Sequence, residues 1–256
     1  TSNELPRLLA EGCDAAQPEG GRVELTNITI DADGDSRSGI AILRDAAGDE
    51  LGRVTFTEIE QVICFAPGTL IATPGGEVAI ETLKEGDKVI TRDNGIQRIR
   101  WIGKRHLTWH DLTANPHLRP IHIPAGSLGG GLPERDMMLS PNHRVLVSNE
   151  RTALYFSEHE VLVAAKHLVG VDGIRQVEAV GATYIHMMFD QHEVILSNGA
   201  WTESFQPGDF SLKGLGNSQR SEILELFPEL KTDEGLATYA AARKILKKHE
   251  ARLLTR

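Results

Sequence analysis

Several things are scarce in this chain, and each scarcity closes a door. There are only two cysteines, Cys13 and Cys64, and although they could form one disulfide, nothing in their spacing demands it. Basic residues do not dominate: 27 Lys and Arg face 36 Asp and Glu, a net charge of −9. Nucleic acid is thereby excluded as a general partner, because phosphate binding needs a basic surface; the charge implies solubility and little else. No apolar run approaches the ~20 residues of a membrane-spanning helix, and residues 1 to 20 lack the charged and apolar regions of a signal peptide. The chain begins with Thr1 and not Met, so its compartment stays open. Helix-forming segments are sparse before residue 215, while 25 glycines and 11 prolines recur between apolar runs. That pattern predicts a mainly β body, and 256 residues are ample for one to two domains with a sizeable core.

The stretch around which the rest is organised is Cys64-Phe65-Ala66-Pro67-Gly68-Thr69 followed by Leu70-Ile71-Ala72-Thr73. Pro67-Gly68 is turn chemistry, and the β-branched run after it is a short strand closed by Pro74-Gly75-Gly76. Cys64 is therefore placed at the mouth of a strand pair; a small buried hydrophobe is the plain alternative for such a cysteine. Before it, residues 3–11 suggest a short helix, and Val23–Ile30, Ile40–Arg44 and Glu50–Phe56 read as strands, the last two joined at Asp45-Ala46-Ala47-Gly48-Asp49. Asp31-Ala32-Asp33-Gly34-Asp35 invites a calcium site, but Ile42 stands where an EF-hand loop needs a bidentate Glu, and an acidic turn is expected instead.

After Cys64, strands are expected at 70–72, 88–91, 97–102, 121–123, 137–139 and 144–147, with Asp93-Asn94-Gly95 as a hairpin turn. Val78-Ala79, Leu83, Asp87 and Val89 recur, at the same spacing, as Val163-Ala164, Leu168, Asp172 and Ile174. His106, His110, His117 and His122 share a loop-rich stretch without a compact zinc spacing, so hydrogen-bonded or exposed histidines are expected. Past Pro207-Gly208 the character turns helical: one helix over Ser218–Phe227, stopped by Pro228, and a second from Thr232 or Asp233 to about Leu254. Cations in its last turns suit the helix dipole.

The block Cys64-Phe65, Gly68-Thr69, Ile71 resembles the opening motif of the Hint domains, the self-processing modules of hedgehog proteins and inteins. Leu83-Lys84-Glu85-Gly86-Asp87-Lys88-Val89 resembles their second signature. Leu139-Ser140-Pro141-Asn142-His143-Arg144-Val145-Leu146-Val147 is similar to the third, a Thr/Ser-x-x-His step between strands, and Tyr184 through Gly199 to the last. The four blocks stand in the family's order over about Cys64 to Phe205 and look most like its bacterial branch. The resemblance implies a horseshoe of two pseudo-twofold related β halves. The expected organisation is a small β segment at 1–63, a Hint domain at 64–210 and a helical tail at 211–256.

What the resemblance implies chemically is an N-to-S acyl shift: the Cys64 thiol attacks the Ile63 carbonyl and turns the scissile amide into a thioester. A base must take the thiol proton, since a free cysteine titrates near ~8.5, and an acid must protonate the departing amine. A nucleophilic Cys64 must also be reduced, which speaks against a structural disulfide. His143 falls on the family's scissile-bond histidine, Ser140 on the Thr/Ser position, and His192 on the histidine of the last block, while Asp190 could orient either histidine. At the place of the splicing His-Asn pair stand Glu203 and Ser204, and Ser204 cannot form a succinimide, so cleavage without full splicing is expected. The early strand at 97–101 offers no acid to activate a sterol. The acceptor would be water, a small thiol or an amine, the substrate the chain's own front segment, and no cofactor is implied. Two alternatives remain: a non-processing Hint-fold interaction or secretion-associated module with an inert Cys64, and a trans-acting cysteine hydrolase using Cys64 and His143.

Overall fold

A computed structural model describes residues 22–30, 37–45, 47–56, 63–207, 217–232 and 239–254. The chain divides into two compact units, Thr1–Glu60 and Gln61–Arg256. In the first, strands Arg22–Ile30, Arg37–Arg44 and Glu50–Phe56 form an antiparallel meander in chain order. Its second turn is held by the Asp45 carboxylate, which accepts from the amides of Ala47 and Asp49, both at 2.9 Å. Gly48 has φ of 95° there, a backbone that glycine alone adopts without strain. The expected helix at 3–11, the Asp31–Asp35 turn and Cys13 lie outside the described residues.

The second unit is built of short strands. Seven share one sheet, in the order Lys244–Ile245, Val161–Ala164, Arg144–Val147, Ala200–Glu203, Val194–Ser197, Leu70–Thr73, Gly76–Ala79. The recurrence seen in the sequence is a recurrence of backbone. Gly76–Ala79 and Val161–Ala164 each run through an alanine, Ala79 (φ −62°, ψ 129°) or Ala164 (φ −63°, ψ 137°), into a 3₁₀ turn, Ile80–Thr82 or Ala165–Leu168. The first turn's leading amide donates to Thr69 O at 2.9 Å, the second's to His143 O at 2.9 Å. A glycine-aspartate turn then leads into Lys88–Ile90 in one half, and an aspartate-glycine turn into Arg175–Gln176 in the other.

Each half continues into one long strand, Trp101–Thr108 or Gly181–Met188, and these two pair antiparallel from Trp101 opposite Met188 to Thr108 opposite Gly181. Equivalent strands paired head to tail are what a local twofold produces, so the unit is a mainly β fold of two related halves.

Two expectations need correction. The strand expected at 97–102 is broken: Ile96–Arg98 ends a hairpin, and Trp101–Thr108 is a separate strand in another sheet. The break follows because the amides of Ile99 and Arg100 leave for Asp87 O (2.9 Å) and Met188 O (2.8 Å). The long helix expected from residue 232 or 233 to 254 is only Lys248–Leu254 in its described part. Upstream, Lys244–Ile245 adds a parallel strand beside Val161–Leu162, and Leu246 is buried in the main core. Sheet pairing plus burial, ~1.5–3 kcal/mol for a leucine-sized side chain, outweighs the helical spacing of the apolar residues. The other helix stands at Asn217–Leu226, with Ile223 and Phe227 buried against Ile63, Trp101, Met188 and Phe205. Trp101 Nε1 donates to Glu222 Oε2 at 3.0 Å across that contact.

Candidate active site

Cys64-Phe65 runs between two strands and is bonded to both. Phe65 exchanges amide bonds with Ile185 (2.9 and 2.8 Å), and the Cys64 carbonyl accepts from the Ser140 amide at 3.0 Å. The Cys64 amide, which belongs to the expected scissile bond, donates to Ser140 Oγ at 2.8 Å. Ser140 thus holds both sides of Cys64. Ile63 is buried, with its side chain in the cluster of Trp101, Phe205 and Ile223.

The group in contact with the thiol is one the sequence reading did not single out. His186, on the long strand Gly181–Met188, brings Nε2 to 3.0 Å and Nδ1 to 3.3 Å from Cys64 Sγ. Its ring also hydrogen-bonds the backbone of Ile63. An imidazole that donates one N–H to the Ile63 carbonyl keeps its other nitrogen bare, as an acceptor for the thiol proton. Trp101 and Phe205 box the ring, the latter edge-on at 5.2 Å between centroids. Burial drives the His186 pKa down to about 3 despite the Ile63 bond, so the ring is neutral at ordinary pH. Burial also pushes the Cys64 thiol well above its usual range, against the opposing pull of Arg105 and Ser140. The thiol is fully covered, in a cluster with Leu107, Leu112, Leu118 and Tyr184. Leu112 and Leu118 come from the helix Trp109–Ala114 and the 3₁₀ turn Pro116–Leu118. The helix is started by a Thr108–Asp111 capping box, and Tyr184 Oη donates to Leu118 O at 2.5 Å.

His143 ends the same turn that carries Ser140, its amide donating to Ser140 O at 3.1 Å. The ring stands edge-on to Phe65 with 4.2 Å between centroids, and among the described residues neither ring nitrogen has a hydrogen-bond partner. Burial lowers its pKa to about 4, partly offset by Glu203. The structure therefore places His143 beside the residue after Cys64, while His186 is the histidine on the sulfur.

His192 and Asp190 are not brought to Cys64. His192 Nδ1 accepts from the Ala242 amide at 3.0 Å, and Nε2 lies 3.3 Å from Glu203 Oε2. That second contact falls outside hydrogen-bond geometry but within ion-pair distance. Both nitrogens of His192 are thus committed away from the sulfur. Asp190 sits in the surface turn beyond Met188, 67% exposed and 3.3 Å from Arg100. Its carboxylate faces solvent and orients neither histidine. Glu203, in contrast, is fully buried; it accepts from the Arg144 amide and from Arg144 Nη1, both at 2.8 Å, and against desolvation the Arg144 guanidinium holds its pKa below the usual carboxylate value.

Of the loop-rich histidines, His106 bonds Thr183 Oγ1 at 2.9 Å and His122 Nε2 bonds Asp136 Oδ2 at 2.9 Å. Among the described residues, no three His, Cys, Asp or Glu side chains cluster as a metal site would require.

A family model described as Hint domain matches residues 63–209. Solved structures align as well, each over little more than half of this chain. A bacterial intein-like domain from Clostridium thermocellum is 18% identical, with a TM-score of 0.39, covering 57% of this chain and 100% of that one. The MchDnaB-1 intein is 11% identical (TM-score 0.34, 55% and 99% covered), and the gp41-1 intein 11% identical (0.33, 54% and 96%). No curated protein matches. With more than half of its length matched by that family model, the chain belongs to the Hint domain family, and its second unit is a mainly β Hint fold.

Proposed function

We propose that the chain cuts itself once at Ile63-Cys64, through a thioester released by water or a small thiol or amine, without splicing. The observation that carries it is His186 in contact with both the Cys64 sulfur and the Ile63 backbone. In the first step the thiol proton passes to His186, sulfur bonds to the Ile63 carbonyl carbon, and the developing oxyanion is held by a hydrogen bond. In the second, the C–N bond breaks and the Cys64 nitrogen, held until then by Ser140, receives the proton that left sulfur, passed on from His186 by way of His143, so that both imidazoles end neutral. One proton leaves sulfur and one reaches nitrogen, so the shift is balanced. Both steps are intramolecular and need no access from solvent. Splicing has no support at the downstream end: Ser204 Oγ accepts from the Glu193 amide at 2.9 Å, and it carries no carboxamide to cyclise.

The complete burial of Cys64 favours a second function, a Hint fold retained as a non-processing interaction module. It also opposes a trans-acting hydrolase, whose nucleophile must meet outside substrates. Mass spectrometry of the purified chain distinguishes them. Self-cutting yields fragments ending at Ile63 and beginning at Cys64, more with added thiol and none in Cys64→Ala. An intact mass throughout long incubation with thiol rules it out and leaves the interaction module.

A further inference from the structure

A buried carboxylate, Glu203, accepts from the amide that joins His143 to Arg144, at 2.8 Å, and the chemistry assigned to Ser140, His186 and Cys64 does not use it. Glu203 ends the strand Ala200–Glu203, and the pairing of Thr202 with Val145 sets it beside Arg144. Its side chain is 0% exposed. Arg144 binds both oxygens, by its own amide and by Nη1, and Nη1 reaches on to Gln206 Oε1 at 3.3 Å. The second neighbour is His192. Because Nδ1 of His192 accepts the Ala242 amide, a neutral ring must carry its hydrogen on Nε2, the nitrogen 3.3 Å from Glu203 Oε2. A protonated His192 would set N–H against N–H at Ala242. The carboxylate is thus fixed in the interior by the two hydrogen bonds from Arg144, with His192 Nε2 beside it at 3.3 Å.

The charged and titratable groups whose charge acts on His143 are Glu203, Arg144, His192 and His186. Glu203 is the one anion among them. The His143 ring itself is fully buried, with no partner on either nitrogen among the described residues. An imidazole in that state can take a proton only if an anion nearby stabilises the cation.

We propose that Glu203 is the positioning residue for His143: held by Arg144 and His192, its carboxylate is the counter-charge that lets His143 carry the proton delivered to the departing Cys64 nitrogen. Glu203 touches neither sulfur nor the scissile bond, so it acts through His143. The proposal rests on the self-cutting function above, and its test separates the two.

In full-length Cys64→Ala protein, which cannot cut, side-chain NMR follows the His143 titration directly. Glu203→Gln keeps the shape and removes the charge, and should lower the His143 titration by about one unit. Glu203→Asp keeps the charge and should largely restore it, which a merely structural role would not do. With Cys64 present, Glu203→Gln should slow cutting about tenfold for each unit lost. An unmoved His143 titration in a folded Glu203→Gln protein overturns the proposal. If that variant does not fold, the carboxylate resonance of Glu203 in the Cys64→Ala protein decides: ionised near neutral pH supports the proposal, and neutral overturns it. A chain that never cuts, yet shows the His143 shift, refutes self-cutting while the link between Glu203 and His143 stands.

Discussion

Mild acid should destabilise the second unit well before any carboxylate titrates. His143 and His186 are 0% and 2% exposed, and burial holds their pKa values at about 4 and about 3. In the unfolded chain both return to ~6.5. The folded values lie below the unfolded ones, so the unfolded chain binds more protons over the interval between them. Their contribution to stability is therefore complete above about pH 6.5 and is lost as the pH falls toward the folded values. Each such proton gives a slope of ~1.4 kcal/mol per pH unit. Two of them remove roughly 2–3 kcal/mol between about pH 6 and about pH 5, a large share of the ~5–15 kcal/mol that holds a typical domain. Acidic side chains add nothing there, because unfolded Asp and Glu titrate near ~4. Urea unfolding of Cys64→Ala protein across this range checks it by fluorescence, since Trp101, Trp109 and Trp201 all lie in the Gln61–Arg256 unit. A stability that stays flat from about pH 6.5 to about pH 5 would show that the two imidazoles are protonated, or reach water, in the folded protein.

Cutting should be insensitive to pH between about 5 and 8, because the reacting form carries the same number of protons as the resting one. An inflection near ~6.5 or ~8.5, where a free histidine or thiol titrates, would contradict the buried pair Cys64–His186. His186→Gln should lower the rate ~10²–10⁴-fold, the usual loss of a general base, in time-resolved mass spectrometry. Arg144→Met strands the buried Glu203 charge and should cost ~3–5 kcal/mol in urea melts; a loss below about 1 kcal/mol would mean the pair is solvated. Phe227→Ala, in the cluster that also covers Ile63, should cost ~3–5 kcal/mol and speed amide exchange in the helix Asn217–Leu226, and an unchanged melt would mean the helix does not hold this cluster.

The fold was readable where spacing carries geometry. Pro67-Gly68, Asp93-Asn94-Gly95 and the repeated Val-Ala, Leu and Asp positions each fix a turn or a strand exit by local chemistry, and the backbone follows them. Ser140 was legible for the same reason, as part of a tight step between strands. His186 was not. It lies among Tyr184, Ile185, Met187 and Met188, all buried, so the strand lacks the alternation that separates an inward polar group from an apolar run. Its partner Cys64 is 122 residues away, a separation no local pattern spans. The available signal was the lone histidine in that buried strand. Asp190, expected to orient a histidine, is turned outward to Arg100, a direction its place in the sequence does not encode. Glu203 looked only like a missing histidine, because a carboxylate's burial depends on Arg144, a cation that strand pairing brings in from elsewhere in the chain.

Hydroxylamine puts the acyl transfer itself to the test. Added to the freshly purified chain, it should capture the acyl group as a fragment that ends in an Ile63 hydroxamate, alongside a remainder with Cys64 at its amino end and a free thiol. Cys64→Ala treated in the same way should stay whole. If the chain with Cys64 present also stays whole, or is cut anywhere other than between Ile63 and Cys64, the sulfur does not take the Ile63 acyl group.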